Sequence, residues 1–428
     1  MRYRRIRRRL PGLLMLACCS PLAAQQGAIR HVHDPVIIRQ ADTYYIFCSG
    51  PGVPVRRSGD LLNWELIGCV FDEDVPAWAK AEIPDANHVW APDIAFYNGR
   101  FHLYYSVSTP GSQRSCIGLA TNRTLDPAGP EFAWVDHGKV LESFPDRMDY
   151  NAIDPNLVLD NEGAPWLAFG SFWTGIKLVR LDRDTATRPV AGATIHAVAA
   201  RPGSLAIEGV FLIRKGEHYY LFASIEHCCR GVASNYRIIV GRSRAITGPY
   251  LDFHGRPMLD GGGTLVLAGY GEWRGPGHHG VWLDPAGDLL VHHMYDARAN
   301  GVSTMQIRPL LWTADGWPVV GEPINADSLP SRTTRRITSS DLAGTWRHAV
   351  DFGADEYIQL RPDGRINAAA IPSEWAWDGE LLKLHWPRAG GEDRWVDSCF
   401  VAPDGQSYVG RNQNGSVIRG IRYTPREP

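Results

Sequence analysis

Short apolar runs recur along the chain in pairs, each pair divided by a polar turn. Ile94-Ala-Phe-Tyr97 and Phe101-His-Leu-Tyr-Tyr105 flank Asn98-Gly99, and Leu157-Val-Leu159 and Trp166-Leu-Ala-Phe169 flank Asn161-Glu-Gly163. Val210-Phe-Leu-Ile213 and Tyr219-Tyr-Leu-Phe222 flank Lys215-Gly216, while Val281-Trp-Leu283 and Leu289-Leu-Val-His-His293 flank Pro285-Ala-Gly287. The first pair is Val36-Ile-Ile38 with Tyr44-Tyr-Ile-Phe47. Aromatic and β-branched runs joined by short glycine-containing turns predict β-hairpins, and no long helical period competes with them.

An acidic residue or histidine stands ahead of every pair: Asp34, Asp93, Asp154, Glu208 and His278, at intervals of 59, 61, 54 and 70 residues. That period exceeds a hairpin and suits a four-stranded sheet, so residues 29–325 are expected to form a five-bladed β-propeller. Blades start at the axis, which would bring the five leading residues to one end of the channel.

Residues 326–340 are polar and aperiodic and read as a linker. From 341 to 428 strands alternate with the turns Asp363-Gly364, Asp378-Gly379 and Asp404-Gly405. A small all-β, barrel-like domain is expected there. Its aromatics suit a core, or alternatively a surface for sugar.

Residues 1–24 carry six arginines, then the apolar Leu13-Leu-Met-Leu-Ala17 and Pro21-Leu-Ala-Ala24. This is the order of a signal peptide cleaved after Ala24, with lipoprotein processing at Cys18 as the alternative. The protein is expected to be exported, secreted or periplasmic. The run is too short for an ordinary membrane span. Removing it takes six of the 44 basic residues and none of the 46 acidic ones, leaving a formal charge of −8. An acidic chain without basic runs argues against nucleic acid and favours a neutral ligand; a monomer is expected. Six cysteines remain, without metal-ligand spacing. The adjacent Cys228 and Cys229 either lie on opposite faces of a strand or form a vicinal disulfide.

Asp34, Asp154 and Glu208 are the candidate catalytic groups. Carboxyl groups crowded into a partly desolvated site cannot all ionise freely, so one holds a proton near neutral pH. Glycosidic hydrolysis needs that combination, an acid for the leaving oxygen and a carboxylate for water or direct attack. Trp90, Phe172, Trp173 and Trp312 are candidates for stacking on a sugar ring, and His33, Asn151 and Ser171 for its hydroxyls. Asp93 is the weakest acid for a direct role and reads as an orienting group. The doublets His278-His279 and His292-His293 place at most one histidine each in the channel, which disfavours zinc. A single histidine beside a water-rich hard cation and a hydrogen-bonded histidine without metal both remain open.

The runs His33-Asp34-Pro35, His88-Val-Trp90-Ala-Pro-Asp93, Asn151-Ala-Ile-Asp154-Pro-Asn-Leu157, Gly170-Ser-Phe-Trp-Thr-Gly175, Ile207-Glu208-Gly209, Cys228-Cys-Arg-Gly231, Val240-Gly-Arg-Ser243, Thr247-Gly-Pro-Tyr250, Gly261-Gly-Gly-Thr264 and Gly275-Pro-Gly-His278 occur in that order. Together they resemble the family-43 glycoside hydrolases, nearest to the endo-acting α-1,5-L-arabinanases, over the whole propeller stretch. The resemblance implies a five-bladed propeller and an inverting mechanism. Asp34 would be general base, Glu208 general acid, and Asp154 the group that raises the acid's pKa and orients it. It further implies arabinan as substrate and His278 as ligand of a Ca2+ ion in the channel, largely hydrated. Met294 in His293-Met-Tyr-Asp296 departs from the usual aromatic-rich form. Exo-action releasing arabinose or xylose, and a non-catalytic sugar-binding propeller, are the competing expectations.

Overall fold

The computed structural model describes residues 24–329, 336–367, 373–387 and 394–424. Residues 1–23, which carry the expected signal peptide and Cys18, lie outside this range, as do residues 330–335. Among the described residues no helix is long and apolar enough to cross a membrane.

The paired runs form five successive sheets. Their innermost strands are His33–Gln40, Trp90–Tyr97, Asn156–Leu159, Ile207–Lys215 and Trp273–Trp282. Each packs on the next, and the fifth packs on the first. The chain is an all-β five-bladed propeller followed by a closed eight-stranded barrel. Alternation along the strands supplies the glue between blades: Val36, Phe47, Ile94 and Leu103 share one buried cluster, and Ala168, Leu178, Leu212 and Leu221 share another. Burying each such large side chain contributes about 1.5–3 kcal/mol before entropic losses.

The segment just after Ala24 closes the ring. Gln26–Gly27 adds a parallel edge to Asn63–Cys69 of blade one. The Gln25 side chain meanwhile donates to Ile307 O (2.8 Å) and accepts from Ile307 N (2.9 Å) in blade five.

On each inner strand, or just ahead of it in blade three, one residue takes the left-handed region: Asp34 (φ 51°), Ala91 (38°), Asp154 (58°), Gly209 (57°) and His278 (40°), and in the other four blades it sits at a break in register with the second strand. Such a conformation is costly for a residue with a Cβ, and a hydrogen bond from the preceding blade holds each one. The amide of Ala91 donates to Ser49 Oγ (2.7 Å), Asp154 to Ser106 Oγ (2.9 Å), His278 to Ser224 Oγ (2.9 Å) and Asp34 to His293 Nδ1 (3.2 Å). Between blades three and four the donor is Gly209 N, and the acceptor is the Asp154 carboxylate itself (2.9 Å). Five links of this kind, each worth about 0.5–1.5 kcal/mol, encircle the channel.

This ring corrects the expected equivalence of the five leading residues. Asp34, Asp154 and His278 occupy the same left-handed position, Glu208 stands one residue before it, and Asp93 two residues after.

The barrel runs from Gly344–Val350 to Val417–Arg422, and these two strands pair to close it. A short helix, Ser339–Leu342, capped by a Thr338/Asp341 box, lodges Leu342 in one end of the barrel core. Arg411 fixes the barrel to the propeller by donating to Pro318 O and Leu265 O. Arg419 adds an ion pair to Glu322 (2.8 Å) and lies over the Tyr270 ring.

Candidate active site

Asp34, Asp154, Glu208 and His278 line one cavity of about 550 Å³, together with His33, Ser49, His88, Trp90, Tyr295 and the Cys228-Cys229 loop. A second cavity of about 430 Å³ holds Asn151, Ser171, Phe172, Trp173, Ser112 and Leu205. Trp90, Ile153 and Glu208 border both, so the two read as one groove with Glu208 at its midpoint.

The three acids sit in different electrostatic company. Burial favours the neutral form of Asp34, but His278, then His33 and His293, and the Ser49 hydroxyl outweigh it and hold the carboxyl down at about 2. The nearest imidazole nitrogens to Asp34 Oδ1 belong to His278 (3.4 Å) and His293 (3.6 Å). Burial drives His293 well below its usual range, so at neutral pH it is a neutral acceptor. For His278 burial also opposes charge, yet Asp34, Asp154 and Glu208 together raise its pKa. Asp34 and His278 therefore form the charged pair of the site.

Asp154 lies deeper, 4% exposed. Burial raises its pKa, and the neighbouring Glu208 carboxylate adds to the rise against the pull of His278. Asp154 Oδ2 accepts from the amide of Gly209, the residue directly after Glu208, which fixes one carboxyl against the backbone of the other. Glycine suits this place because φ is 57° and a Cβ would crowd His278 at 3.2–3.3 Å.

Glu208 projects into the groove between two hydroxyl groups: Ser171 Oγ to Oε2 (2.7 Å) and Tyr236 OH to Oε1 (2.7 Å). Burial, then the charge of Glu208, pushes the Tyr236 phenol well above its usual range, so it stays a donor. Its ring lies flat against Gly277, where any Cβ would collide with it.

The remaining residues singled out from sequence divide. Trp90, Phe172 and Trp173 do line the groove, the last two both with positive φ (54° and 41°). Asn151 reaches the groove while its Oδ1 accepts from Ser115 (2.6 Å), and His33 stacks near His293 with centroids 4.3 Å apart. Trp312 does not belong: it sits on an outer strand of blade five, bonded to Asp288 (2.7 Å) beneath Lys215. Asp93 faces away from the groove. Its carboxyl accepts from Leu157 N (2.7 Å) and Asn156 Nδ2 (3.3 Å), and Asn156 in turn accepts from Leu212 N, so Asp93 orients backbone from blade to blade.

His278 lines the groove and His279 packs near Phe211 and Phe222. His33, Asp34 and His293 bring donor atoms within 4.8 Å of one another, but His293 Nδ1 already accepts the Asp34 amide. Cys228 and Cys229 lie in a loop rather than a strand, with their sulfurs side by side at 2.6 Å on the groove wall. The opposite-faces expectation fails because a left-handed Cys229 (φ 62°) turns both side chains the same way.

Ser49, Tyr236 and Tyr295 escaped the sequence reading, and of the doublet His292-His293 it is His293 that meets Asp34. A signal for the serine existed: Cys48-Ser49, Tyr105-Ser106 and Ala223-Ser224 end the second strand of three blades in the same register. Nothing in the spacing marked Tyr236, which reaches Glu208 from the loop before a third strand.

Residues 29–318 match the family described as Glycosyl hydrolases family 43. The extracellular exo-α-(1→5)-L-arabinofuranosidase of Cellvibrio japonicus is 44% identical over 315 residues, covering 71% of this chain and 90% of that protein. The extracellular endo-α-(1→5)-L-arabinanase 1 of Bacillus subtilis is 41% identical, covering 72% and 93%. Among solved structures, a Cellvibrio cellulosa α-L-arabinanase complexed with arabinohexaose superposes with a TM-score of 0.66 at 43% identity, over 68% of this chain and 95% of that one. With the carboxylate groove and the propeller both in place, this chain is a glycoside hydrolase and belongs to family 43.

Proposed function

We propose that the protein is an exported hydrolase that cuts internal α-1,5-L-arabinofuranosidic bonds of arabinan with inversion at the anomeric carbon. The observation that carries the reading is the unequal surroundings of three carboxyl groups around one groove. Asp34, held ionised beside His278, accepts a proton from water as that water attacks the anomeric carbon. Glu208, at the midpoint of the groove, gives a proton to the departing glycosidic oxygen. Asp154, buried beside it with a raised pKa, places a carboxyl group next to the proton donor and, through Gly209 N, holds the backbone on which Glu208 stands. Trp90, Phe172 and Trp173 offer apolar faces to the sugar rings, and His33, Asn151 and Ser171 offer polar contacts.

The channel residues suit a Ca2+ ion in a limited way. His278, in its unprotonated form, would be one side-chain ligand, leaving the other positions to water, as a hard oxygen-preferring cation tolerates. Bound there, it would supply positive charge beside the three carboxyl groups, the charge that a protonated His278 supplies without it.

Cavities on both sides of Glu208 support endo-action, since an internal bond needs sugar on both sides of the cleavage point. The exo-acting name of the Cellvibrio japonicus relative favours the second reading, release of arabinose from chain ends. Following viscosity and reducing ends together on linear arabinan separates them. An endo-enzyme drops viscosity by half while only a few per cent of bonds are cut; viscosity that falls in step with released arabinose sinks the endo reading. Export rests on the arginine-led leader and on relatives named extracellular.

A further inference from the structure

A second cavity with buried polar walls lies in the C-terminal barrel, beyond the residues that match the family. It occupies about 320 Å³ and is lined by His348, Glu356, Trp386, Trp395, Asp397 and Asn412, among others. Strand alternation explains its position. These six share the register of the core residues Trp346, Ile358, Leu384, Cys399 and Tyr408, so they point inward, at the end of the barrel away from the Leu342 plug. A barrel whose inward positions change from apolar to polar at one mouth has given up core there, and barrel mouths are common ligand sites.

We propose that this mouth is a second carbohydrate site, taking a short stretch of the neutral pentose chain that the propeller cuts; in its choice of sugar it rests on the function proposed above. Trp386 and Trp395 are cross-strand partners and bring two indoles to the rim. Asp397 is 3% exposed, its Oδ2 accepting from Trp386 Nε1 (2.6 Å). His348, 5% exposed, is anchored through Nδ1 to the Tyr408 hydroxyl (2.9 Å), which leaves Nε2 facing Asp397 Oδ2 across 3.9 Å. That gap is too long for a hydrogen bond and the right width for one hydroxyl that accepts from Nε2–H and donates to the carboxylate. Burial moves the two groups in opposite directions, Asp397 up to about 6 and His348 down to about 4. Near neutral pH the pair is therefore one acceptor and one neutral imidazole, which suits a hydroxyl. Among the described residues no lysine or arginine lines the cavity, which disfavours an anionic ligand, and two carboxylates, Asp397 and Glu356, line its wall. A metal is disfavoured too, because the barrel holds no group of three clustered metal-ligating side chains among the described residues. The small volume suits a short stretch of sugar rather than a long chain.

The test is calorimetric titration of linear α-1,5-arabino-oligosaccharide into the full chain carrying Glu208→Gln, which binds without turnover. Two binding events are expected. Adding Trp395→Ala removes one of them and leaves the other unchanged. Asp397→Asn weakens the same event about tenfold or more, and because the amide oxygen can still accept from Trp386 it serves should Trp395→Ala not fold. Xylo- and gluco-oligosaccharides run alongside should not occupy the mouth. A single event untouched by both substitutions overturns the proposal, as does occupation of the mouth by the other glycans but not by arabino-oligosaccharide. Hydrolysis of linear arabinan by the unaltered enzyme, measured in parallel, reports on the propeller alone: turnover together with a single binding event overturns the barrel site and leaves the proposed function standing.

Discussion

Asp34→Ala lowers kcat on linear arabinan by about 10²–10⁴-fold and leaves KM within a few-fold of its original value. The expectation follows from the position of the carboxylate: it sits in the groove wall beside His278 and accepts from the Ser49 hydroxyl, so its removal takes away the proton acceptor while the apolar faces that line the groove stay in place. Its charge also sets the acid limit. A carboxyl held at about 2 stays ionised well below its ordinary value, so loss of the base does not begin until the pH approaches that figure. The same depression makes a stability contribution, present above the unfolded value and lost as pH falls toward 2. His278 runs the other way. Its raised pKa contributes stability that is complete below the unfolded value and is lost as pH rises through the folded one. A loss of kcat below tenfold in Asp34→Ala, measured by reducing-end release, would remove Asp34 from the mechanism.

Asp154→Asn is expected to cost about 10²-fold in kcat, mostly through the pH profile rather than through substrate affinity. Burial is the main cause that raises the native Asp154 carboxyl to about 7, and the nearby Glu208 adds to the rise against the pull of His278. An amide removes the like charge while keeping an acceptor for Gly209 N, and the fold stays intact. The basic limb of kcat/KM, which reports loss of the proton to be delivered, then moves toward acid pH. An unshifted basic limb would separate Asp154 from proton delivery and leave it as one link of the ring around the channel. The raised value carries its own stability signature. Between the unfolded and folded values the native state alone keeps the proton, so native stability falls as pH rises through that window, and Asp154→Asn should abolish this slope.

The propeller was legible in the sequence because blade starts and hairpin turns repeat, and repetition survives where single motifs do not. What the repeat could not supply was register. Asp93 and Asp34 look alike in sequence, yet the break in register near the start of their strands counts residues differently: Ala91, not Asp93, takes the left-handed place in blade two. Two residues of offset turned Asp93 from the groove to the backbone of blade three. Glu208 is offset by one, and that step frees its carboxyl for the groove while Gly209 fills the bulge. Trp312 was assigned to the groove from its chemistry alone, but it lies on an outer strand, far from the axis in any propeller. Tyr236 was invisible because its contact with Glu208 joins separate strands of blade four through a ring seated on Gly277 of blade five, a packing relation without a spacing rule. The barrel's closure could be anticipated from its turns; its polar mouth depended on knowing which face of each strand points inward.

Central to the account is a single displacement, with Asp34 activating water on the face opposite the leaving oxygen. Proton NMR of the first-formed reducing ends during rapid hydrolysis of an α-1,5-linked arabino-oligosaccharide tests it most directly. The account predicts β-configured reducing ends that relax to the anomeric mixture afterwards; α-configured ends at the earliest times would mean a covalent intermediate and contradict it.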